Sequence, residues 1–351
     1  AKLCNVCVYF NSGGDDRCDN CQTVLDGSTS EFVNLLEMPN AKTIRRERIT
    51  CDEEERIRRG YHTSVHFRFA PGTGGLLRTA EAAVGTHLSQ PLLRATFAPS
   101  ATLFKVNHGW KGGRTVGFLL SLTSGEINPD AGQAPGETAI LRLFVSDTEN
   151  LLLVRPHAEV QSDLRALASL QFALQRGMEQ HFQIEESELA SERVGASDHR
   201  AILYWEAEEG GVGVLRRLVE EPDLFAAIAS NALERLHFDL ASLEDKKPDC
   251  AQACYECLLS YTNQPDHRLL NRHLVRDLLL GLSQSVTTPR PAGRDYEEHY
   301  RWLRSLTDSR SELERRFVDH LYQTRRNLPD EAQKAIVEVN TIPDFYYSGC
   351  H

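Results

Sequence analysis

The chain has 351 residues, with 39 Lys and Arg against 50 Asp and Glu, and its formal net charge of −11 excludes nucleic-acid binding through bulk charge; any such contact needs a local basic surface. The length points to two or three domains, and a charged fraction of 25% is that of an ordinary soluble fold. Apolar runs such as GFLLSL and DLLLGL fall far short of the roughly 20 residues that cross a bilayer, so no membrane partner is expected.

The opening AKLCNVC has no initiator methionine and no signal-peptide pattern, and the expectation is a segment of a cytoplasmic protein. Seven of the nine cysteines fall in two clusters, which in a reducing compartment reads as metal binding before disulfides. In the first, over residues 1–25, Cys4 and Cys7 form one two-spaced pair and Cys18 and Cys21 another, joined through the turn NSGGDD. Two such knuckles aim four thiolates at one tetrahedral Zn2+, and the metal supplies folding energy that so short a segment cannot draw from a core.

Residues 26–60 are polar and carry the mixed-charge run TIRRERITCDEEERIRRGY. From Tyr61 to about Val154 short alternating stretches (TSVHFRFA, ATLFKVN, VGFLLSL, AILRLFVS, NLLLVRP) predict a β-rich connecting domain over 26–154. Helix follows: Leu164, Leu167, Leu170, Leu174 and Met178 recur at helical spacing behind Ser162 or Asp163 as N-cap. AILYWEAEEGGVGVLRRLVEE reads as strand, glycine turn and helix. The glycine turn is a phosphate cradle or, more commonly, a tight connection. PDLFAAIASNALERLHF and HRLLNRHLVRDLLLGL read as amphipathic helices flanking the second cysteine cluster. SQSVTTPRPAGRD reads as a linker, SELERRFVDHLYQT as a helix, and AIVEVNTIPDFYYSG as a strand entering a hairpin.

The second cluster, Cys250, Cys254 and Cys257, offers three thiolates. A catalytic zinc would want a base and a pocket that nothing nearby supplies, so a closed structural site with one further ligand is expected. Asp249, His267 and His273 are the neighbours considered, and His267 is favoured. Cys51 and Cys350 have no spacing partners.

ILYWEAEEGGVGVLRRL, then helices, then CAQACYECLLSYTNQPDHRLLNRHLVRDLL resembles the MZB zinc-binding module that ends mitomycin-repair-type superfamily 2 DNA helicases. Related helicases serve anti-phage systems such as DISARM and Druantia. The cysteine knot, MPNAKTIRRERITCDEEERIRRGYHTSVHFRF and PSATLFKVNHGWKGG resemble the region between motor and module in the larger defence-type members. One departure is clear: the family's module usually has a fourth cysteine two positions before the one matched by Cys250, and Pro248 stands there. Separately, SELERRFVDHLYQ and VEVNTIPDFYYSG resemble the first helix and hairpin of a PD-(D/E)xK nuclease-like fold. That resemblance implies Glu314 and Asp344 as two acids of a Mg2+ site, while the second acid and the lysine are not in this sequence.

No G-x-x-x-x-G-K-[ST] loop occurs, so ATP belongs only to a motor outside these residues. Lys105, Trp110, Lys111 and Arg114 in FKVNHGWKGGR are either a single-strand stacking platform or the surroundings of a core tryptophan. Arg268, Arg272 and Arg276 recur at helical spacing as a phosphate-facing stripe or a wet helix face. The run Arg45, Arg46, Arg48, Arg56, Arg58 and Arg59 is interleaved with acids and reads as DNA contact or a salt-bridged helix.

The expected fold class is α+β: a zinc ribbon (1–25), a β-rich connecting domain (26–154), an MZB-like helical zinc module (155–285), and a linker with a truncated restriction-endonuclease-like α/β start (286–351). The expected function is that of an accessory region of an ATP-dependent DNA helicase or translocase in defence or repair. Its partners would be DNA, a motor in the same chain or a separate subunit, and other defence-system proteins. The alternatives are a non-motor zinc-binding subunit that docks on a helicase, or the DNA-positioning platform of a nuclease.

Overall fold

The computed structural model describes residues 2–38, 60–71, 77–86, 91–110, 116–127, 137–207, 213–242, 244–290, 296–307, 311–324, 326, 328–329, 331–333 and 343–346. The arginine run 45–59, Lys111, Arg114, Cys51 and Cys350 lie outside the described residues. The chain falls into two compact units, each assembled from separated segments. One comprises Ala1–Leu77, Ser100–Glu149 and Val194–Arg200, and the other Arg78–Pro99, Asn150–Arg193 and Ala201–His351.

In chain order the first strands are β1 (Lys2–Cys4), β2 (Phe10–Asn11), β3 (Ser30–Phe32), β4 (Leu35–Glu37), β5 (Tyr61–Arg68), β6 (Ala80–Gly85), β7 (Leu93–Trp110), β8 (Phe118–Ser121) and β9 (Thr138–Pro156). Helices α1 (Ala158–Ser162) and α2 (Leu164–Phe182) follow, then β10 (Leu189–Val194), β11 (Ala201–Glu206), α3 (Val214–Glu220), α4 (Leu224–Arg235) and α5 (Arg276–Ser283). The chain continues with β12 (Val286–Arg290), α6 (Tyr296–Leu306), α7 (Glu312–Gln323), β13 (Glu331–Ala332) and β14 (Phe345–Tyr346).

In the first unit β1 is the centre of a three-stranded sheet of order β2-β1-β3. The first part of β9 takes β4 in parallel and β8 antiparallel, and β5 runs antiparallel to β7. Alternation along β5 places His62, Ser64 and His66 on one face. His66 packs there against Phe10, which in turn meets Phe104 edge-on. Leu3, Phe10, Val33 and Val106 form the buried cluster beneath.

The second unit has one large core. Asp163 caps α2, its carboxylate accepting the Arg165 and Ala166 amides at 2.8 and 3.3 Å. Leu167, Leu170, Leu174 and Met178 are buried, but Leu164 is 47% exposed, so the apolar stripe begins one turn later than the spacing suggests. Gly177 lets α2 and α4 touch: a Cβ there would stand 2.4 Å from the Ile228 carbonyl oxygen. β11 is buried along its whole length and pairs with β9 through Ile202↔Val154 to Trp205↔Leu151.

Two sequence expectations change. The first half of the linker is β12, paired antiparallel with β6 from Val286↔Gly85 to Arg290↔Glu81. Val286, Thr287 and Thr288 suit a strand, and Pro289 is tolerated because β12 ends the sheet order and needs no second ladder. HRLLNRHLVRDLLLGL is not one helix. A 3-10 turn at Arg272–Leu274, capped by the Asn271 side chain, precedes α5. The tail residues Leu303, Val318, Leu321, Leu328 and Ala332 form a small buried cluster of their own.

Candidate metal centres

The N-terminal cysteines stand in a tetrahedral grouping. Cys4 and Cys21 Sγ are 3.7 Å apart and Cys7 and Cys18 Sγ 3.5 Å, and all four sulfurs lie within 4.8 Å of one another. A tetrahedron with Zn–S bonds of about 2.3 Å has edges of about 3.8 Å, whereas a disulfide needs about 2.05 Å, so the spacing fits zinc. Val8, at φ +58°, turns the first knuckle, and the Val8 amide donates to the Cys4 carbonyl at 3.0 Å. Hydrogen bonding from the Cys18 thiol lowers Cys4 to about 6 and also lowers Cys21. The same contacts drive Cys7 and Cys18 up, Cys7 through Cys18 and Cys18 through Cys21. Four thiolates this close repel one another, and a divalent cation is what allows all four to be deprotonated together.

The second centre joins Cys250, Cys254 and Cys257 to His237, their ligand atoms again within 4.8 Å. Cys250 and Cys257 Sγ are 3.9 Å apart, Cys254 and Cys257 3.6 Å, and His237 Nε2 is 3.3 Å from Cys254 Sγ. A mixed N,S tetrahedron has N–S edges of about 3.6 Å. His237 follows the last turn of α4. Its amide donates to Glu234 O at 3.0 Å and the Phe238 amide donates to Leu233 O at 3.0 Å, a Schellman ending in which His237 has φ +66°. The ring therefore leaves the helix end toward the cysteines. Burial, with Lys247 and Arg272 acting in the same direction, holds its pKa below the ordinary value, which favours the neutral imidazole that a metal ligand must be. Burial is the main cause that raises Cys257 to about 12. Cys254 is also pushed up by burial, but the Glu256 backbone amide and the neighbouring thiols bring its pKa below the usual value.

His267 is not at this centre. Its Nε2 faces Ser260 O and Asn263 Oδ1, both at 3.0 Å, so it ties the following loop together. Asp249, His267 and His273 are the near neighbours of the cysteines in sequence, whereas His237 lies 13 residues before Cys250. The available signal was a histidine in the position after a helix where glycine is usual.

Arg272, expected on a DNA-facing stripe, is fully buried. Its Nε donates to Cys250 O at 2.9 Å, Nη1 to Leu236 O at 3.0 Å and Nη2 to Lys247 O at 3.2 Å, with the Asp245 carboxylate completing the set. The guanidinium lies 4.9 Å from the centre of the Phe238 ring. One side chain thus joins the backbone just before His237 to the backbone of Cys250. It is a support of the metal centre and is closed to phosphate. Arg276 pairs with Asp277 at 2.9 Å, and Arg268 is exposed outside any helix, so the three arginines form no stripe.

Other expected residues are placed as follows. Lys105 and Trp110 are exposed on β7. Most of the glycine turn, residues 208–212, lies outside the described residues; on either side of it the fully buried Glu206 carboxylate accepts the Leu215 amide at the start of α3 at 3.0 Å and the Asn150 side chain at 3.0 Å. In the tail, Gln333 Nε2 donates to Glu314 Oε2 at 3.3 Å and to Asp344 Oδ1 at 3.2 Å, so the two acids do converge. Among the described residues, no helix is long and apolar enough to cross a membrane.

Residues 170–258 match the family model of MZB, the MrfA Zn-binding domain. The match ends one residue past Cys257 and takes in His237. The chain therefore carries a domain similar to MZB in which histidine completes the ligand set. A solved structure, the crystal structure of DUF1998 helicase MrfA bound to DNA, aligns at TM-score 0.32 and 9% identity over 62% of this chain. That alignment spans 25% of the MrfA chain. No curated protein matches.

Proposed function

We propose that the chain is an accessory region of an ATP-dependent DNA helicase or translocase, holding or guiding DNA for a motor outside these residues. The observation that carries the reading is the second metal centre within the MZB match, residues 170–258, since that domain is named for a helicase. Two zinc ions fix local geometry and do no chemistry: each ligand set is complete with four protein atoms, which leaves no open position for a reacting water. ATP is used only by the motor. The biological setting is anti-phage defence or repair of DNA lesions, in the cytoplasm, with other defence-system proteins as partners in the first case. If the motor is a separate subunit, the same region docks on it.

A second reading, a metal-dependent nuclease platform, is favoured by one contact. Gln333 bridges Glu314 and Asp344, so a helix acid and a hairpin acid share one polar atom where Mg2+ chemistry would need a cation.

The deciding experiment compares DNA-stimulated ATP hydrolysis by the native polypeptide with that of the 351-residue segment. Stimulated hydrolysis in the former and none in the latter is expected. Silence in both, with Mg2+-dependent cleavage of DNA by the native polypeptide that E314Q abolishes, would replace the first reading by the second.

A further inference from the structure

We propose that Tyr61 and Trp110 form a stacking platform for the bases of single-stranded DNA. The proposal rests on the DNA-handling reading and names a surface that serves it. Both rings are large and exposed, Trp110 at 53% and Tyr61 at 43%, and they lie against each other with centroids 4.3 Å apart at 33°. Phe118, itself buried, backs Tyr61 at 5.9 Å, so the pair is seated on the fold and presents its outer face.

The backbone is bent to produce this arrangement. Along the β5–β7 ladder Thr63 faces Asn107, but Tyr61 faces Trp110: two steps on one strand meet three on the other. The extra residue falls beside Gly109, at φ +101°, where a Cβ would stand 2.9 Å from Gly117 O. A bulge of this kind re-aims the side chain that follows it. Without it, Trp110 would fall out of register with Tyr61.

Charge selects the occupant. The sequence on either side of the pair, Arg56 to Gly60 before Tyr61 and Lys111 to Thr115 after Trp110, contains Arg56, Arg58, Arg59, Lys111 and Arg114 and no acid, in a chain of net charge −11. The acidic run ends at Glu55. Exposed aromatic rings whose adjoining sequence is cationic suit a polyanion with free π-faces. In a duplex those faces are covered by neighbouring bases, so the partner is a single strand.

The test is fluorescence anisotropy of a labelled oligothymidylate of about 20 nucleotides, titrated at low salt with the parent protein and with W110A, Y61A and W110F. W110A is expected to weaken binding by about 5- to 150-fold, Y61A to weaken it in the same direction, and W110F, which keeps a π-face, to retain most of the affinity. Thermal melting and zinc content of W110A should equal those of the parent, since the ring is exposed. Binding that W110A and Y61A leave unchanged would overturn the platform but not the DNA-handling reading. A duplex of the same length that competes better than the single strand would also overturn it. Failure of the parent to bind any DNA would sink both.

Discussion

His237 occupies a backbone position that proteins usually give to glycine. A non-glycine residue held at φ +66° costs on the order of 1 kcal/mol or more, and a metal bond offsets that readily. The expected outcome is that H237A lowers bound zinc from two ions per chain to one, while H267A, which removes only a loop tie, keeps both; metal analysis of the purified variants decides it. Equal zinc in H237A and parent would place the fourth ligand elsewhere. At this scale the sequence was informative about thiols and poor about the histidine. Cysteine spacing is local, so Cys4, Cys7, Cys18, Cys21, Cys250, Cys254 and Cys257 could be chosen by eye. The fourth ligand depends on where α4 ends and which way its last residue turns. Arg272 was misjudged for a related reason: its spacing from Arg268 and Arg276 suggested a helix face, but Asn271 caps a short turn there and directs it inward.

Among the elements, α2 shows how a small side chain sets a packing distance. Gly177 costs helix propensity, yet its Cβ position is already taken by the α4 backbone at Ile228. G177A is therefore expected to destabilise the second unit by about 1–3 kcal/mol despite alanine's better propensity, read as a lower denaturation midpoint with an unchanged slope. A stabilised variant would mean that the two helices can separate without loss. Long periodic elements were legible: α2, α4, β11 and the alternating strands follow their patterns. Short ones were not. β12 was hidden in a stretch whose two prolines and glycine suggested a linker, because strand pairing with β6 is decided two hundred residues away in sequence.

For the molecule as a whole, the two units interleave along the chain, and no composition shift marks where one gives way to the other. Four consecutive segments were the natural reading of sequence, whereas the observed division rests on long-range pairing. One buried group makes the first unit sensitive to acid. Burial is the main cause that pushes His66 down to about 4, with His108 and Arg142 adding to it and the Val8 carbonyl opposing. His66 is neutral in the fold, but it gains a proton below about pH 6.5 when unfolded. Its contribution is thus fully present above pH 6.5 and is lost as the pH falls toward 4, about 2 kcal/mol by pH 5. Melting curves of parent and H66Q between pH 7 and pH 5 test this: the variant should lose less stability over the interval. Parallel losses would assign the acid sensitivity to the metal thiolates instead.

The contacts of Arg272 also impose an order on biosynthesis. The last ligand, Cys257, leaves the ribosome after His237 and the other two cysteines, and Arg272, the side chain that ties their two backbone segments together, follows it later still, 36 residues behind Leu236. At translation rates of about 5–20 residues per second, the nascent site has seconds in which to meet zinc before its last support arrives. During that window the metal itself must hold the loop, so a cell short of zinc would release chains whose second centre closes around nothing.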